Sequence, residues 1–366
     1  EVARNLLQLT SPTTASVTTD LPKEDLVKAL GYVDKRLDFQ LQQLTRSLKR
    51  FRAAVSANPD NEVLRTQLEA KEELQEQLKK ARSKTLLSDR DGNLTVPAGV
   101  VDRLVKKFGF EYRWGKDLPE PAGPLRTYAK PPEPRDYQRI AHDLLIESTS
   151  LHGGPAGIEL ATGGGKTTII REVLKTLGLG STVMAPSKSI AYQIFEELKN
   201  VFGAAKVGFY GDGKKDFGKL ITVAIDDSLT RIKPGSPAWE KLSRNPVFIA
   251  DESHLCPSET LASVCYGLAA DAPYRYVFSA TQMRNDGLDL VLEGIVGRIV
   301  MRMNVRELVE MGYLAKPTFR MVRVVSTKSY SGPDVNEMTR QHLYYNPRVS
   351  KAAGILVRMF VTKMRR

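Results

Sequence analysis

The chain has 366 residues, with 54 Lys+Arg against 42 Asp+Glu and a formal net charge of +12. Its length exceeds what one hydrophobic core ordinarily organises, so two or more folding units are expected. Hydrophobic residues at 42% and charged residues at 26% exclude global disorder and collagen-like repeats. Two cysteines are too few to staple a secreted scaffold. That points to an intracellular, cytoplasmic setting, which includes a virus or phage protein acting in its host cell. No apolar run approaches the ~20 residues that span a bilayer, so no membrane partner is expected. The positive excess suits a polyanionic partner.

Residues 1–21 are Ser/Thr-rich and read as a disordered or extended tail. Residues 22–88 read as an antiparallel helical hairpin. Leu37, Leu41, Leu44, Leu48, Phe51 and Val55 recur at a/d spacing, the seam of packed helices. Asn58-Pro59-Asp60-Asn61 breaks the run, and Leu64, Leu68, Leu74, Leu78 and Ala81 are expected to face inward on the second helix. Such a hairpin docks on its own protein or on a protein partner, or acts as a DNA-contacting arm. Its mixed surface charge favours docking and leaves the first helix as the one side suited to DNA. Residues 89–114 read as a small α/β module, with strands near 93–96 and 110–114 around a helix from 100 to 108. Residues 115–134 are proline-rich and read as a linker. From residue 135 to 325, short apolar runs alternate with amphipathic stretches. Strands are expected at 157–160, 182–185, 207–210, 220–225, 247–250 and 276–279. That alternation predicts an α/β fold with a doubly wound, mostly parallel sheet.

Within that region, Leu160-Ala161-Thr162-Gly163-Gly164-Gly165-Lys166-Thr167-Thr168 follows one predicted strand and opens a helix. Glycines let the backbone curl so that its N–H groups point at phosphate oxygens, and the helix N-terminus adds positive potential. Residues 162–168, that is Thr162, Gly163, Gly164, Gly165, Lys166, Thr167 and Thr168, are therefore expected to bind a nucleotide. Lys166 reaches the β- and γ-phosphates, and the Thr167 hydroxyl ligates Mg²⁺. Leu160 stands where the full motif has Gly, so the match is to the Gly-x-Gly-Lys-Thr end. Downstream, Val247-Phe248-Ile249-Ala250 runs into Asp251-Glu252. An apolar strand ending in two carboxylates suits a nucleotide hydrolase: Asp251 holds Mg²⁺, and Glu252 orients or deprotonates the attacking water. ATP and Mg²⁺ are the expected cofactors, and Lys166, Asp251 and Glu252 the expected catalytic set.

Asp251-Glu252-Ser253-His254 has the D-E-x-H form and resembles motif II of helicase superfamily 2. Ser279-Ala280-Thr281 is similar to its motif III. Arg135-Asp136-Tyr137-Gln138 resembles the adenine-reading Q motif, which implies nucleotide contacts by Arg135, Tyr137 and Gln138. Met184-Ala185-Pro186-Ser187-Lys188 looks like motif Ia, which implies DNA-backbone contacts by Pro186, Ser187 and Lys188, and Gly211-Asp212-Gly213-Lys214-Lys215 also fits. Leu160, the stretch 279–287 and Glu310-Met311-Gly312-Tyr313-Leu314-Ala315-Lys316-Pro317 resemble the XPB-like and phage UvsW-like branch. The resemblance implies a RecA-like ATPase domain in which His254, Ser279 and Thr281 couple the nucleotide to DNA. The implied activity is ATP-dependent helicase or translocase action on duplex or branched DNA. Residues 326–366 would then be a linker and the start of a second RecA-like domain, so the sequence reads as a fragment. Gln282, where Pro is usual, and Asp226-Asp227-Ser228, where Thr-x-x-Ser is common, depart from the pattern. The alternatives are the motor of a restriction or DNA-packaging complex and a non-catalytic adaptor with this fold.

Overall fold

The computed structural model describes residues 5–59, 61–114, 118–253, 258–280, 289–316, 323–324 and 335–364. It forms two units, Glu1–Leu314 and Ala315–Arg366.

The first 114 residues hold the largest departures from expectation. Residues 5–19 are not a loose tail. Strands β1 (Asn5–Ser11) and β2 (Thr14–Thr19) pair antiparallel and bury Leu7, Leu9, Ala15 and Val17. The alternation is that of a sheet with one covered face. Helix α1 (Lys23–Leu30) and strand β3 (Gly31–Val33) follow, then the helical pair α2 (Lys35–Ala57) and α3 (Glu62–Arg82). Strand β4 (Ser83–Thr85) pairs with β3 at the root of that pair. Strands β5 (Ser88–Arg90) and β6 (Asn93–Pro97), helix α4 (Val101–Phe108) and strand β7 (Glu111–Arg113) complete a sheet of order β5-β6-β2-β1-β7. The α/β module is thus built from both sides of the hairpin, which is an insertion within it and not an element ahead of it.

The hairpin seam on α2 runs through Leu37, Leu41, Leu44, Leu48, Phe51 and Val55, with Leu41 and Leu48 fully covered. Asp34 caps α2 by accepting from the backbone N–H of Arg36 at 3.0 Å. On α3 the inward row is Leu64, Leu68, Lys71, Gln75, Leu78 and Arg82, while Leu74 and Ala81 face solvent. The expected Leu74 position fails because it lies six residues after Leu68, off the 3.6-residue face. Gln75 occupies the seam instead and donates to Thr45 Oγ1 at 2.8 Å.

The 115–134 segment is not a free linker either. Among its described residues, Ala122, Leu125 and Tyr128 donate backbone N–H groups to the carbonyls of Leu177, Lys175 and Val201, at 2.8–2.9 Å. These bonds strap it along the α/β domain that follows.

The larger α/β domain comprises α5 (Asp136–His152), β8 (Pro155–Leu160), α6 (Lys166–Leu177), β9 (Ser181–Ala185), α7 (Lys188–Phe202), β10 (Val207–Gly211), β11 (Lys214–Lys215) and β12 (Ile221–Ile225). Helices α8 (Asp226–Thr230) and α9 (Pro237–Leu242), strand β13 (Val247–Ala250), helix α10 (Ser258–Tyr266), strand β14 (Tyr274–Ser279), helix α11 (Asp289–Val296), strand β15 (Arg298–Met303) and helix α12 (Val305–Glu310) complete it. The sheet order is β11-β10-β12-β9-β13-β14-β8-β15, and every pairing is parallel except β10 with β11. All four residues of β13 are buried, as a central strand covered on both faces requires. One apolar layer joins α5, α6 and α7 to the sheet, and the other joins α8, α9, α10 and α11. The parallel strands place the loops after β8, β9, β13 and β14 at one end of the sheet.

The module and the larger α/β domain meet at the turn Ala98–Val100, which lies on α11. A methyl group at Gly99 would overlap the carbonyl oxygens of Glu293 and Gly294. Bidentate pairs of Arg103 with Glu293 and of Arg298 with Asp102 flank this contact. Gly99→Ala is therefore expected to destabilise the chain by about 1–3 kcal/mol, the usual penalty for an overpacked site. Chemical denaturation checks it, and a wild-type midpoint would show that the module does not rest there.

The second unit contains helices α13 (Val335–Thr339) and α14 (Pro347–Met364) among its described residues.

Candidate nucleotide and motor site

The loop between β8 and α6 turns through left-handed backbone at Gly163 (φ 83°) and Gly165 (φ 78°), where only glycine sits without strain. A side chain at Gly164 would meet Leu160 Cγ at 2.7 Å. Leu160, the departure from the full motif, is thus the wall on which the loop rests. Lys166, at the head of α6, is buried. Its Nζ donates to the Leu160 carbonyl at 3.2 Å and pairs with Glu252 Oε1 at 2.8 Å.

Asp251 and Glu252 follow β13 directly, at the loop end of the sheet. Glu252 has φ 46°, a left-handed conformation of a non-glycine residue that is held at a cost of order 1–3 kcal/mol. In that conformation its carboxylate meets Lys166. Asp251 is 4% exposed, and its Oδ1 has no hydrogen-bond partner among the described residues. Burial is the main cause that pushes its carboxyl up to about 6; the Glu252 charge adds to this, and Lys166 opposes it. A buried carboxylate oxygen without a partner, beside a phosphate loop, fits a divalent cation. Thr167, half-buried at the start of α6, is the second group that would hold Mg²⁺.

Tyr137 and Gln138 lie beneath the phosphate loop. Tyr137 OH donates to the Gly164 carbonyl at 2.6 Å, and Gln138 Nε2 donates to the same oxygen at 2.9 Å. Gln138 Oε1 accepts from the Arg135 backbone N–H at 2.9 Å. Both ends of the Gln138 amide are therefore engaged in holding the loop. Tyr313 and Leu314 also reach this site, a role their local sequence does not announce. The Tyr313 ring lies 5.0 Å from that of Tyr137, and the Arg135 guanidinium lies 4.8 Å over it. Leu314 abuts Gly163.

The other predicted residues fall on neighbouring strand ends. Ser279 closes β14 and is fully buried. Pro186, Ser187 and Lys188 follow β9; Ser187 caps α7, and Lys188 Nζ pairs with Asp212 at 2.7 Å. That pair holds the Asp212 carboxyl below its ordinary range and the Lys188 ammonium above its own. Nothing in the sequence pattern marks Asp212 as that partner. His254 and Thr281 lie outside the described residues.

Sheet order, loop and paired carboxylates define a RecA-like phosphate-loop domain. A family model described as "Type III restriction enzyme, res subunit" matches residues 131–284. The chain is 29% identical over 205 residues to the "DNA 3'-5' translocase XPB2" of Sulfurisphaera tokodaii, across 55% of this chain and 43% of that protein. It is 25% identical over 210 residues to the "Putative ATP-dependent helicase IRC3" of Saccharomyces cerevisiae, across 52% of this chain and 29% of that one. The chain thus spans less than half the length of these curated relatives. Two crystal structures of the UvsW helicase of bacteriophage T4 share the fold. Their TM-scores are 0.55 and 0.54 at 15% identity; each covers 81% of this chain, with 99% and 56% of the respective UvsW chains matched. That coverage exceeds the RecA-like domain alone. Over the motif-bearing stretch the chain is similar to the superfamily 2 helicase region that its motifs resemble, and the UvsW structures show a shared fold. Among the described residues, no helix is long and apolar enough to cross a membrane.

Proposed function

We propose that this chain carries the ATP-binding half of a DNA helicase or translocase that works on duplex or branched DNA. One observation carries the reading: Lys166 is held by Glu252 at 2.8 Å, beside the partnerless Oδ1 of Asp251. The site is a charge cluster suited to a polyanion and a cation. Nucleotide phosphates draw Lys166 from Glu252 to themselves, and the freed Glu252 carboxylate then orients a water or takes its proton. Asp251 and Thr167 would hold Mg²⁺, which neutralises charge on the phosphates when bound. Tyr137 and Gln138 keep the loop in register by holding the Gly164 carbonyl. DNA as the partner takes support from the translocase relative and from the +12 net charge.

The test is MgATP binding and DNA-stimulated hydrolysis by the protein, with duplex and forked DNA compared. Lys166→Ala is expected to lose nucleotide binding, since it removes the one cation the loop directs at the phosphates. Unchanged binding in that variant overturns the reading. A second reading, the motor of a restriction complex, takes support from the family model's description. ATP-dependent cleavage of DNA by the protein is its test.

A further inference from the structure

We propose that the α2–α3 arm is a second DNA-binding element, gripping duplex phosphates through Arg46, Lys49 and Arg50. This rests on the reading above that the protein acts on DNA. The mixed charge of the hairpin, taken along the sequence, favours a docking role. Its three-dimensional arrangement reverses that preference, because the charges segregate by face.

On α2 the seam is centred on Leu41, Leu44 and Leu48. At 100° per residue, Arg46 points directly away from it, with Lys49 and Arg50 on either side. All three are exposed and make no ion pair among the described residues. Apart from Lys35 at the root, the remaining charges of the helix are already engaged. Arg52 donates to Glu72 at 2.7–2.9 Å, Arg36 to Glu259 at 3.1 Å, and Asp38, the one carboxylate of α2, pairs with Arg82. The outward face of α3 instead carries Glu62, Glu69 and Glu73, flanked by Arg65 and Glu76, with Lys80 nearer the root. Away from the root, one side of the arm is basic and the other mainly acidic.

Duplex phosphate is the occupant that this basic face fits. A protein interface needs an apolar centre, and the middle of this face has none; the exposed Phe39 lies nearer the root. The 23 residues of α2 extend about 35 Å, close to one turn of duplex. The root also stands in the right place. Arg36 reaches Glu259 in the first turn of α10, the helix that follows Asp251 and Glu252 at the loop end of the sheet. One ion pair at the root of the arm thus reaches the loop end of the sheet, which bears the nucleotide loop and the 186–188 turn.

The experiment measures binding of mixed-sequence duplex DNA to the whole chain as a function of salt. In the combined variant Arg46→Gln, Lys49→Gln and Arg50→Gln, the log–log salt slope is expected to fall by about two to three, at ~0.9 for each phosphate no longer neutralised. Glu62→Gln, Glu69→Gln and Glu73→Gln on the acidic face are expected to leave the slope unchanged. Arg46→Lys with Arg50→Lys, which keeps both charges, is expected to retain it too; a shallower slope there would mean a damaged fold and sinks the proposal. A wild-type slope in the first variant, as a protein-docking arm would give, also overturns it. Failure of the unmodified chain to bind DNA removes the functional reading itself, which is a different result from either.

Discussion

Glu252→Gln is expected to bind MgATP as tightly as the unmodified protein, or more tightly, and to hydrolyse it about 10²–10⁴-fold more slowly, the span ordinarily lost with a general base. The amide keeps the size of the carboxylate but cannot accept a proton from water. It also no longer holds Lys166 as an ion pair, so the lysine reaches phosphates without first leaving a partner at 2.8 Å. The left-handed backbone at 252 is the same for Gln as for Glu, so strain is unchanged. Nucleotide binding and single-turnover hydrolysis, measured on one preparation, separate the two effects. Turnover at the unmodified rate means that Glu252 is not the base. A loss of binding of the kind expected for Lys166→Ala means that the carboxylate belongs to the cradle.

The core of the RecA-like domain was legible because parallel central strands are continuous apolar runs. Val247–Ala250 is fully buried and reads as such, and its two carboxylates follow without interruption. The glycine spacing between strand and helix also made the left-handed turns at Gly163 and Gly165 and the helix start at Lys166 legible. Strands β1 and β2 were not. A sheet covered on one face alternates, and in Thr14–Thr19 the exposed alternates are Ser and Thr, the composition of a loop. Leu7, Leu9, Ala15 and Val17 carried the signal at a period of two. Strand β15 was hidden by Arg298 and Arg302, which an edge strand tolerates. Leu74 misled because it is apolar yet off the seam, and Gln75 fills the seam with a hydrogen bond. The role of Tyr313 comes from contacts with Arg135 and Tyr137, far away along the chain, which no local pattern encodes.

Asp251→Asn is expected to stabilise the nucleotide-free protein at neutral pH while removing its response to Mg²⁺. The folded Asp251 carboxyl titrates at about 6, raised chiefly by burial, whereas an unfolded aspartate titrates near ~3.9. The folded chain thus holds this proton more tightly than the unfolded one. Its contribution to stability is fully present below about pH 4 and is lost as pH rises through about 6. Above that, the ionised group costs about 3 kcal/mol, two units at ~1.4 kcal/mol each. Asn keeps the shape without the charge, so the gain from Asp251→Asn should be near that figure at pH 7–8 and shrink towards nothing at pH 4. Mg²⁺ with ATP offers Oδ1 the partner it lacks, so it should stabilise the unmodified protein and leave the variant unmoved by the metal. That metal response should fade below about pH 6, where the proton competes for the same oxygen. Denaturation with urea at pH 4, 6 and 8, with and without MgATP, reads all of this. A gain that is equal at pH 4 and pH 8 means that the substitution acts through packing. No gain at pH 8 means that the Asp251 charge is already compensated in the folded chain.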